Sequence, residues 1–107
     1  MADLFGFCSP LLYLQSMAMA RRFIVKGRVQ GVGYRYFAIT AADRCGVVGT
    51  VRNLPDGSVE AVAEGTPEAV AEFRSQLERG PSYARVTSLH EAEIKPTGRY
   101  KEFDVTY

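Results

Sequence analysis

The sequence predicts an α+β domain in which two helices pack on one face of an antiparallel β-sheet. Segments that alternate apolar and polar side chains, as half-buried strands do, are interrupted twice by segments with apolar residues at helical spacing. Glycine- and proline-rich turns divide these segments, and their order along the chain is βαββαβ. The commonest arrangement for that order is the ferredoxin-like sandwich.

The composition is that of an ordinary globular domain. The chain has 107 residues, of which 47% are hydrophobic and 23% charged, enough for a single core and unlike a disordered segment. A formal net charge of +1 argues against a general nucleic-acid binder, which usually carries a strong or clustered basic charge. Cys8 and Cys45 have no metal-ligand spacing. We expect Cys45 to be a buried apolar side chain, and a bridge to Cys8 remains open.

Residues 1–20 stand apart from the strand and helix pattern. They contain a short apolar run at 11–14 and an Ala-Met-Ala sequence at 18–20 that resembles a signal-peptidase site, but their only charge is negative. The apolar run is far shorter than a membrane span. We therefore predict a core domain over 21–107, preceded by an N-terminal extension outside the core.

Three interpretations of this extension are open. It is a segment that packs on the domain, a weak secretory signal, or the product of an upstream start in a protein that begins at Met17 or Met19 rather than Met1. We favour the upstream start. Secretion is the least favoured, because the positively charged region of a signal peptide is missing, and the predicted location is the cytoplasm.

Two closely spaced glycines join the first strand to the first helix. Apolar and basic residues alternate from Phe23 to Val29, which predicts a strand, and apolar residues recur at helical spacing from Tyr34 onward. Between these segments, Gly31 and Gly33 allow a ligand to approach the main chain closely. The chain thus passes from strand to helix through a loop suited to binding.

This loop is a candidate anion site. Its amides, together with the unpaired N–H groups and positive dipole end of the helix, favour a phosphate or a carboxylate. Arg35 lies in the first helical turn, where its guanidinium can reach the same pocket and bind two oxygens. The stretch lacks the Gly-Lys-Ser/Thr of a P-loop and the third glycine of a dinucleotide fingerprint. By itself it does not decide between an anion site and a structural turn.

A β-hairpin follows the first helix. Gly46 stands where a C-cap glycine would end that helix, and residues 47–53 and 58–64 have strand patterns. The Leu-Pro-Asp-Gly sequence between them is typical of a turn, because proline presets φ, aspartate bonds its own backbone and glycine accepts positive φ. The alternation places Glu60 and Glu64 on a solvated face.

A second helix and two further extended segments complete the domain. Thr66 is a good N-cap and Pro67 suits the first helical position. The helix is predicted to end at Gly80, which can cap in the left-handed region and precedes a proline. Residues 84–94 form a longer extended segment, and residues 103–107 alternate as a strand that reaches the C-terminus.

Two stretches resemble signatures of the acylphosphatase family. Residues 27–35 read Gly-Arg-Val-Gln-Gly-Val-Gly-Tyr-Arg and are similar to the family's phosphate-loop pattern, Gly-x-Val-Gln-Gly-Val-x-Phe/Tyr-Arg. Residues 49–57 read Gly-Thr-Val-Arg-Asn-Leu-Pro-Asp-Gly and resemble its second pattern, Gly-x-Val-x-Asn-x-x-Asp-Gly. The likeness runs from about Arg21 to Tyr107 and implies the same ferredoxin-like fold.

The resemblance also implies an activity, the hydrolysis of acyl phosphates to a carboxylate and inorganic phosphate. In the family, the arginine of the first motif binds the phosphoryl group and the asparagine of the second holds the attacking water, which makes Arg35 and Asn53 the predicted catalytic residues. The substrate would be bound by loop amides and the arginine fork, over Gln30, Gly31, Val32, Gly33, Tyr34 and Arg35. The Tyr34 ring is expected to face the core.

Such a reaction needs no metal or cofactor. The carboxylate is a good leaving group, so positioning and stabilisation of charge on the phosphoryl oxygens are sufficient. We expect a monomer that acts on a small-molecule acyl phosphate, with inorganic phosphate as product or inhibitor. Neither nucleic acid nor a membrane is an expected partner.

Two other functions remain open at this point. The first is a non-catalytic anion-binding or regulatory domain of the same fold, but mere binding would not require Asn53. The second is an RNA-binding module, which would need exposed aromatic residues on the central strands. Phe23 is the only aromatic residue on the candidate central strands, so this interpretation is weak.

Overall fold

The structure is a computed structural model that describes residues 18–107. The predictions for residues 1–17, including those for Cys8, lie outside the described residues. Five strands and two helices follow one another along the described chain: β1 (Met19–Arg28), α1 (Tyr34–Cys45), β2 (Val48–Asn53), β3 (Val59–Gly65), α2 (Pro67–Arg79), β4 (Arg85–Ile94) and β5 (Phe103–Val105).

The strands form one sheet in the order β4-β1-β3-β2-β5. Strand β1 pairs antiparallel with both β3 and β4, and β2 pairs antiparallel with β3. The predicted ferredoxin-like βαββαβ fold is confirmed. Strand β5 adds a parallel pair along the outer edge of β2, so the sheet as a whole is mixed.

The core lies between the two helices and one face of the sheet. Phe73 of α2 stands edge-on between Phe23 of β1, at a centroid distance of 6.2 Å, and Phe103 of β5, at 5.3 Å. Edge-to-face pairs of this kind stabilise packing beyond the area that they bury. Cys45 packs against the rim of this core and is partly rather than fully buried, and burial raises the pKa of its thiol. The Phe73 contacts therefore hold α2 against the sheet.

The helix ends have the capping residues that the sequence predicts. Gly46 adopts a left-handed conformation with φ of 82°, and its N–H donates to the carbonyl of Ala42. The Thr66 hydroxyl accepts a hydrogen bond from the N–H of Ala69 at 3.0 Å. Gly80 also has a positive φ of 68°, but its ψ of 173° lies outside the left-handed helical region. Over residues 18–107, neither helix combines the length and apolar character needed to cross a bilayer.

Glu60 contradicts the predicted solvated face of β3. Only 8% of the residue is exposed, and its carboxylate accepts hydrogen bonds from Nε of Arg22 at 2.6 Å and Nε of Arg52 at 2.7 Å. Burial raises the pKa of this carboxyl group, but the two arginines outweigh that effect and the net pKa is lowered. The flanking strands thus supply the charges that make burial tolerable.

Glu64 is buried as well, with 7% of the residue exposed. Its carboxylate accepts hydrogen bonds from the N–H of Thr97 at 2.8 Å, the Thr97 hydroxyl at 3.0 Å and the N–H of Gly98 at 3.1 Å. The connection between β4 and β5 is held against β3 by these bonds. Alternation assigned both glutamates to the correct face, but it could not indicate that neighbouring side chains and a later loop cover that face.

A close backbone contact lies where β2 begins its pairing with β3. Gly49 has φ of 147°, and a Cβ added there would lie 1.8 Å from the carbonyl oxygen of Val62. No side chain fits at such a distance, so the first glycine of the second motif is required by backbone packing rather than by ligand binding.

Candidate active site

The two sequence motifs meet at one cleft of about 300 Å³. It opens where the loop after β1 and the first turn of α1 face the end of β2 and the C-terminal residues. The predicted catalytic residues Arg35 and Asn53 both line it. The complete lining is Val29, Gly31, Gly33, Tyr34, Arg35, Tyr36, Ile39, Asn53, Val105 and Tyr107.

The loop is anchored in the core at both ends. Val29 and Tyr34 each have 1% of their residue surface exposed. The Tyr34 ring faces the core, as expected, and its hydroxyl donates to the carbonyl oxygen of Leu77 at 2.6 Å. Burial raises the pKa of this phenol, which keeps it a neutral donor. Between the two anchors, Gly31 and Gly33 line the cleft.

The N-terminus of α1 opens into the same cleft. Gly33 is the N-cap in a left-handed conformation, with φ of 78° and ψ of 18°, and it offers no side chain to cap the helix. The first helical hydrogen bond runs from the N–H of Phe37 to the carbonyl of Gly33 at 3.0 Å. The N–H groups of Tyr34, Arg35 and Tyr36 therefore have no acceptor within the helix. Unpaired donors at the positive end of a helix favour an anion.

Arg35 supplies a positive charge beside these amides. Its guanidinium lies 5.5 Å from the centre of the Tyr107 ring, within the range of a cation–π contact. None of the ion pairs within residues 18–107 involves Arg35. Its planar fork is thus available for the oxygens of a bound anion.

Asn53 has an unmet hydrogen-bonding capacity. It is the last residue of β2, where it is paired with Val59 of β3. Its Oδ1 atom is buried and, alone among buried side-chain polar atoms of the described residues, has no hydrogen-bond partner. Leaving a buried oxygen without a donor costs about 1–3 kcal/mol, so the atom marks a place for a bound donor such as water.

Two residues of the predicted binding set do not line the cleft. Across residues 18–107, the residues that line the cleft do not include Gln30 or Val32. Val32 packs, partly buried, against the core, and Gln30 turns its carboxamide toward the β2–β3 turn. Their amides as substrate contacts stay a prediction.

Five residues that line the cleft were not among the predicted site residues: Val29, Tyr36, Ile39, Val105 and Tyr107. Tyr36 and Tyr107 are 75% and 95% exposed, and Ile39 and Val105 lie beside them. Helical geometry could have indicated Tyr36 and Ile39, because residues three apart share a helix face and Tyr36 follows Arg35 directly. No local signal indicates Tyr107, which reaches the cleft only because β5 pairs with β2.

The Acylphosphatase family profile matches residues 21–105. The chain belongs to the acylphosphatase family. It is 45% identical over 91 residues to an acylphosphatase of Methanothrix thermoacetophila, covering 85% of this chain and 100% of that relative. It is 50% identical over 80 residues to one from Bordetella parapertussis, covering 75% and 85%. These matches confirm the resemblance seen in the two motifs.

The fold agrees with that of a solved family member. The crystal structure of acylphosphatase from Bacillus subtilis matches with a TM-score of 0.79 and 37% sequence identity, covering 83% of this chain and 99% of that one. The cleft described above therefore lies in an acylphosphatase fold, between the family's two sequence motifs.

Proposed function

We propose that this chain hydrolyses acyl phosphates to a carboxylate and inorganic phosphate in the cleft lined by Arg35 and Asn53. Membership of the acylphosphatase family supports the reaction. The observation that carries the choice of site is the unpartnered, buried Oδ1 of Asn53, which shares a cleft with an arginine and a free helix N-terminus.

The phosphoryl group is bound by main-chain and guanidinium donors. The N–H groups of residues 30–35 bind its equatorial oxygens together with the Arg35 fork. Of this stretch, Gly31, Gly33, Tyr34 and Arg35 line the cleft. As the bond to the carboxylate breaks, charge spreads over these oxygens, and donors that are already in place stabilise it without reorganisation. Inorganic phosphate, with the same oxygens, competes for the same donors.

Asn53 orients the attacking water. Its Oδ1 accepts a hydrogen bond from the water and holds the water oxygen in line with the bond that breaks. The water oxygen bonds to phosphorus, and the electron pair of the broken P–O bond leaves with the carboxylate. A carboxamide is no base at neutral pH, so the water proton passes to an oxygen of the substrate phosphoryl group.

The competing functions have less support. A binding domain without catalysis has no use for the unpartnered oxygen of Asn53. The central strands of the sheet, β1 and β3, carry no aromatic residue on their open face, and such residues are what an RNA-binding sheet uses to stack bases. Membership of the family implies a small-molecule acyl phosphate as the substrate. The role of inorganic phosphate as product or inhibitor, the monomeric state and the cytoplasmic location stay part of the proposal.

Metal-free hydrolysis of benzoyl phosphate by three variants tests the proposal. We expect Arg35→Ala and Asn53→Ala each to lose about a hundredfold or more in rate, because each removes a group needed in the transition state. Arg74→Ala is the matched control, since Arg74 lies on α2 and pairs with Glu91 and Glu78 on the surface. Inorganic phosphate should inhibit competitively and bind Arg35→Ala less tightly.

Two results would contradict the proposal. A folded wild-type protein that binds phosphate without turnover would be a binding domain descended from the enzyme. Turnover that Arg35→Ala and Asn53→Ala leave unchanged would mean that the chemistry takes place elsewhere in the molecule.

A further inference from the structure

The side chain of Gln30 connects the anion loop to the β2–β3 turn. Its Nε2 donates one hydrogen bond to the carbonyl oxygen of Leu54 and another to that of Ser58, both at 2.8 Å. In the opposite orientation the Gln30 Oε1 atom would face two carbonyl oxygens, and none of these three atoms can donate a hydrogen bond. The carboxamide therefore faces the turn with its nitrogen. Both protons of the amide nitrogen are used.

The two acceptors stand next to the residues that position Asn53. Leu54 follows Asn53 directly, and Ser58 precedes Val59, the residue paired with Asn53 across the hairpin. The turn between them is closed by hydrogen bonds from Leu54 N–H to Ser58 O at 2.8 Å and from Gly57 N–H to Leu54 O at 3.1 Å. Gln30 therefore clamps the hairpin immediately beyond the Asn53–Val59 pair.

Asn53 depends on this backbone for its position. Its Oδ1 has no partner within the described residues, so no hydrogen bond to that atom determines where it points. The anion loop, in contrast, has anchors of its own in buried Val29 and in the Tyr34–Leu77 hydrogen bond. The Gln30 contacts therefore determine where Asn53 lies relative to the anion loop.

We infer that Gln30 is a positioning residue that acts through Asn53, fixing where the attacking water sits relative to the phosphoryl group. The inference rests on the proposed function. Loss of the clamp should slow the chemical step, because a displacement of about 1 Å in a reacting group costs on the order of a hundredfold. Phosphate binding should change little, because its donors lie on the loop and on α1.

The test compares Gln30→Met, Asn53→Ala and the double variant with the wild type. Methionine has a similar length but no donors, and Gln30→Asn, which keeps both donors one methylene short of the turn, serves if Gln30→Met fails to fold. Gln76→Met is the matched control, because Gln76 donates to Glu72 at 3.2 Å on the exposed side of α2. The measurements are kcat with saturating benzoyl phosphate, the inhibition constant of inorganic phosphate, and the unfolding midpoint in urea.

Three results together support the inference. We expect Gln30→Met to lower kcat about ten- to a hundredfold, while the inhibition constant of phosphate changes less than about threefold. In the Asn53→Ala background the same substitution should slow the reaction no more than about twofold, because residues that act as one unit are not additive. Gln76→Met should retain the wild-type kcat.

Other results overturn it. If Asn53→Ala is impaired but Gln30→Met slows both backgrounds equally, Gln30 acts independently of Asn53 and only the inference fails. A phosphate inhibition constant that rises in step with the loss of kcat would assign Gln30 to the anion loop instead. A lowered unfolding midpoint with unchanged kcat would leave it a purely structural role. If Asn53→Ala is as active as the wild type, the proposed role of Asn53 and the inference fail together.

Discussion

The Tyr34 hydroxyl replaces a backbone hydrogen bond that α2 lacks. In a regular helix the carbonyl of Leu77 accepts from the N–H four residues later, but that residue is Pro81, which has no N–H. Tyr34 donates to this carbonyl at 2.6 Å from a position that is only 1% exposed. Removing the hydroxyl leaves a buried acceptor without a donor, at a contact that also anchors the first residue of α1.

We expect Tyr34→Phe to lower the free energy of unfolding by about 1–3 kcal/mol, the cost of a buried unsatisfied polar group. In a domain of this size each kcal/mol corresponds to a fall in Tm of about 4–8 °C. Because the folded state raises the pKa of this phenol, its contribution is fully present below the unfolded pKa of about 10 and declines as pH rises beyond it. The difference from the wild type should therefore be constant at neutral pH.

Urea unfolding followed by circular dichroism measures the effect. Tyr83→Phe is the control, because Tyr83 is 68% exposed and loss of its hydroxyl should change stability by less than about 0.5 kcal/mol. If the two substitutions cost the same, or if Tyr34→Phe stays within about 0.5 kcal/mol of the wild type, the Leu77 carbonyl is not left unsatisfied and the reasoning is refuted.

Two further predictions concern the sheet. Gly49→Ala should prevent folding or lower the free energy of unfolding in urea by more than about 4 kcal/mol, because its Cβ would lie 1.8 Å from the Val62 carbonyl oxygen. Gly98→Ala is the control and should fold, because the space around its Cβ is open. Equal losses of stability in the two variants would contradict the argument. Glu60→Gln should make stability less dependent on pH. The lowered pKa of Glu60 means that its ion pairs stabilise the fold above the unfolded pKa of about 4.3 and are lost as pH falls through the folded value. The free energy of unfolding in urea is measured at neutral and acid pH for the wild type and Glu60→Gln. An equal change with pH in the two proteins would exclude the effect.

The helix boundaries could be predicted from local sequence because they depend on a few consecutive residues. Thr66 and Gly46 cap the helices by contacts with backbone groups three or four positions away. The Leu-Pro-Asp-Gly turn likewise folds on itself, since the Asp56 carboxylate accepts from the Ser58 hydroxyl at 2.5 Å and from the Ser58 N–H at 2.9 Å. The hydroxyl contact first, and the N–H contact after it, lower the pKa of Asp56. Such contacts can be predicted without knowing the order of the strands in the sheet.

The solvated face predicted for β3 was wrong for the opposite reason. Period-two alternation says which side of a strand a residue occupies, but not what lies over that side. Glu60 is buried because β1 and β2 flank β3 and direct Arg22 and Arg52 at it. Glu64 is buried by the connection from β4 to β5.

Local sequence patterns were enough to predict the βαββαβ order, the caps and turns, and membership of the acylphosphatase family from its two motifs. Tertiary structure alone decided that Asn53 and Arg35 share a cleft, that Tyr107 lies over Arg35, and that the Gln30 carboxamide holds the β2–β3 turn. The difference lies in how far apart in the sequence the contacting residues are. Propensities, caps and turns act over a few residues, whereas these contacts arise only when the sheet brings strands distant in sequence side by side.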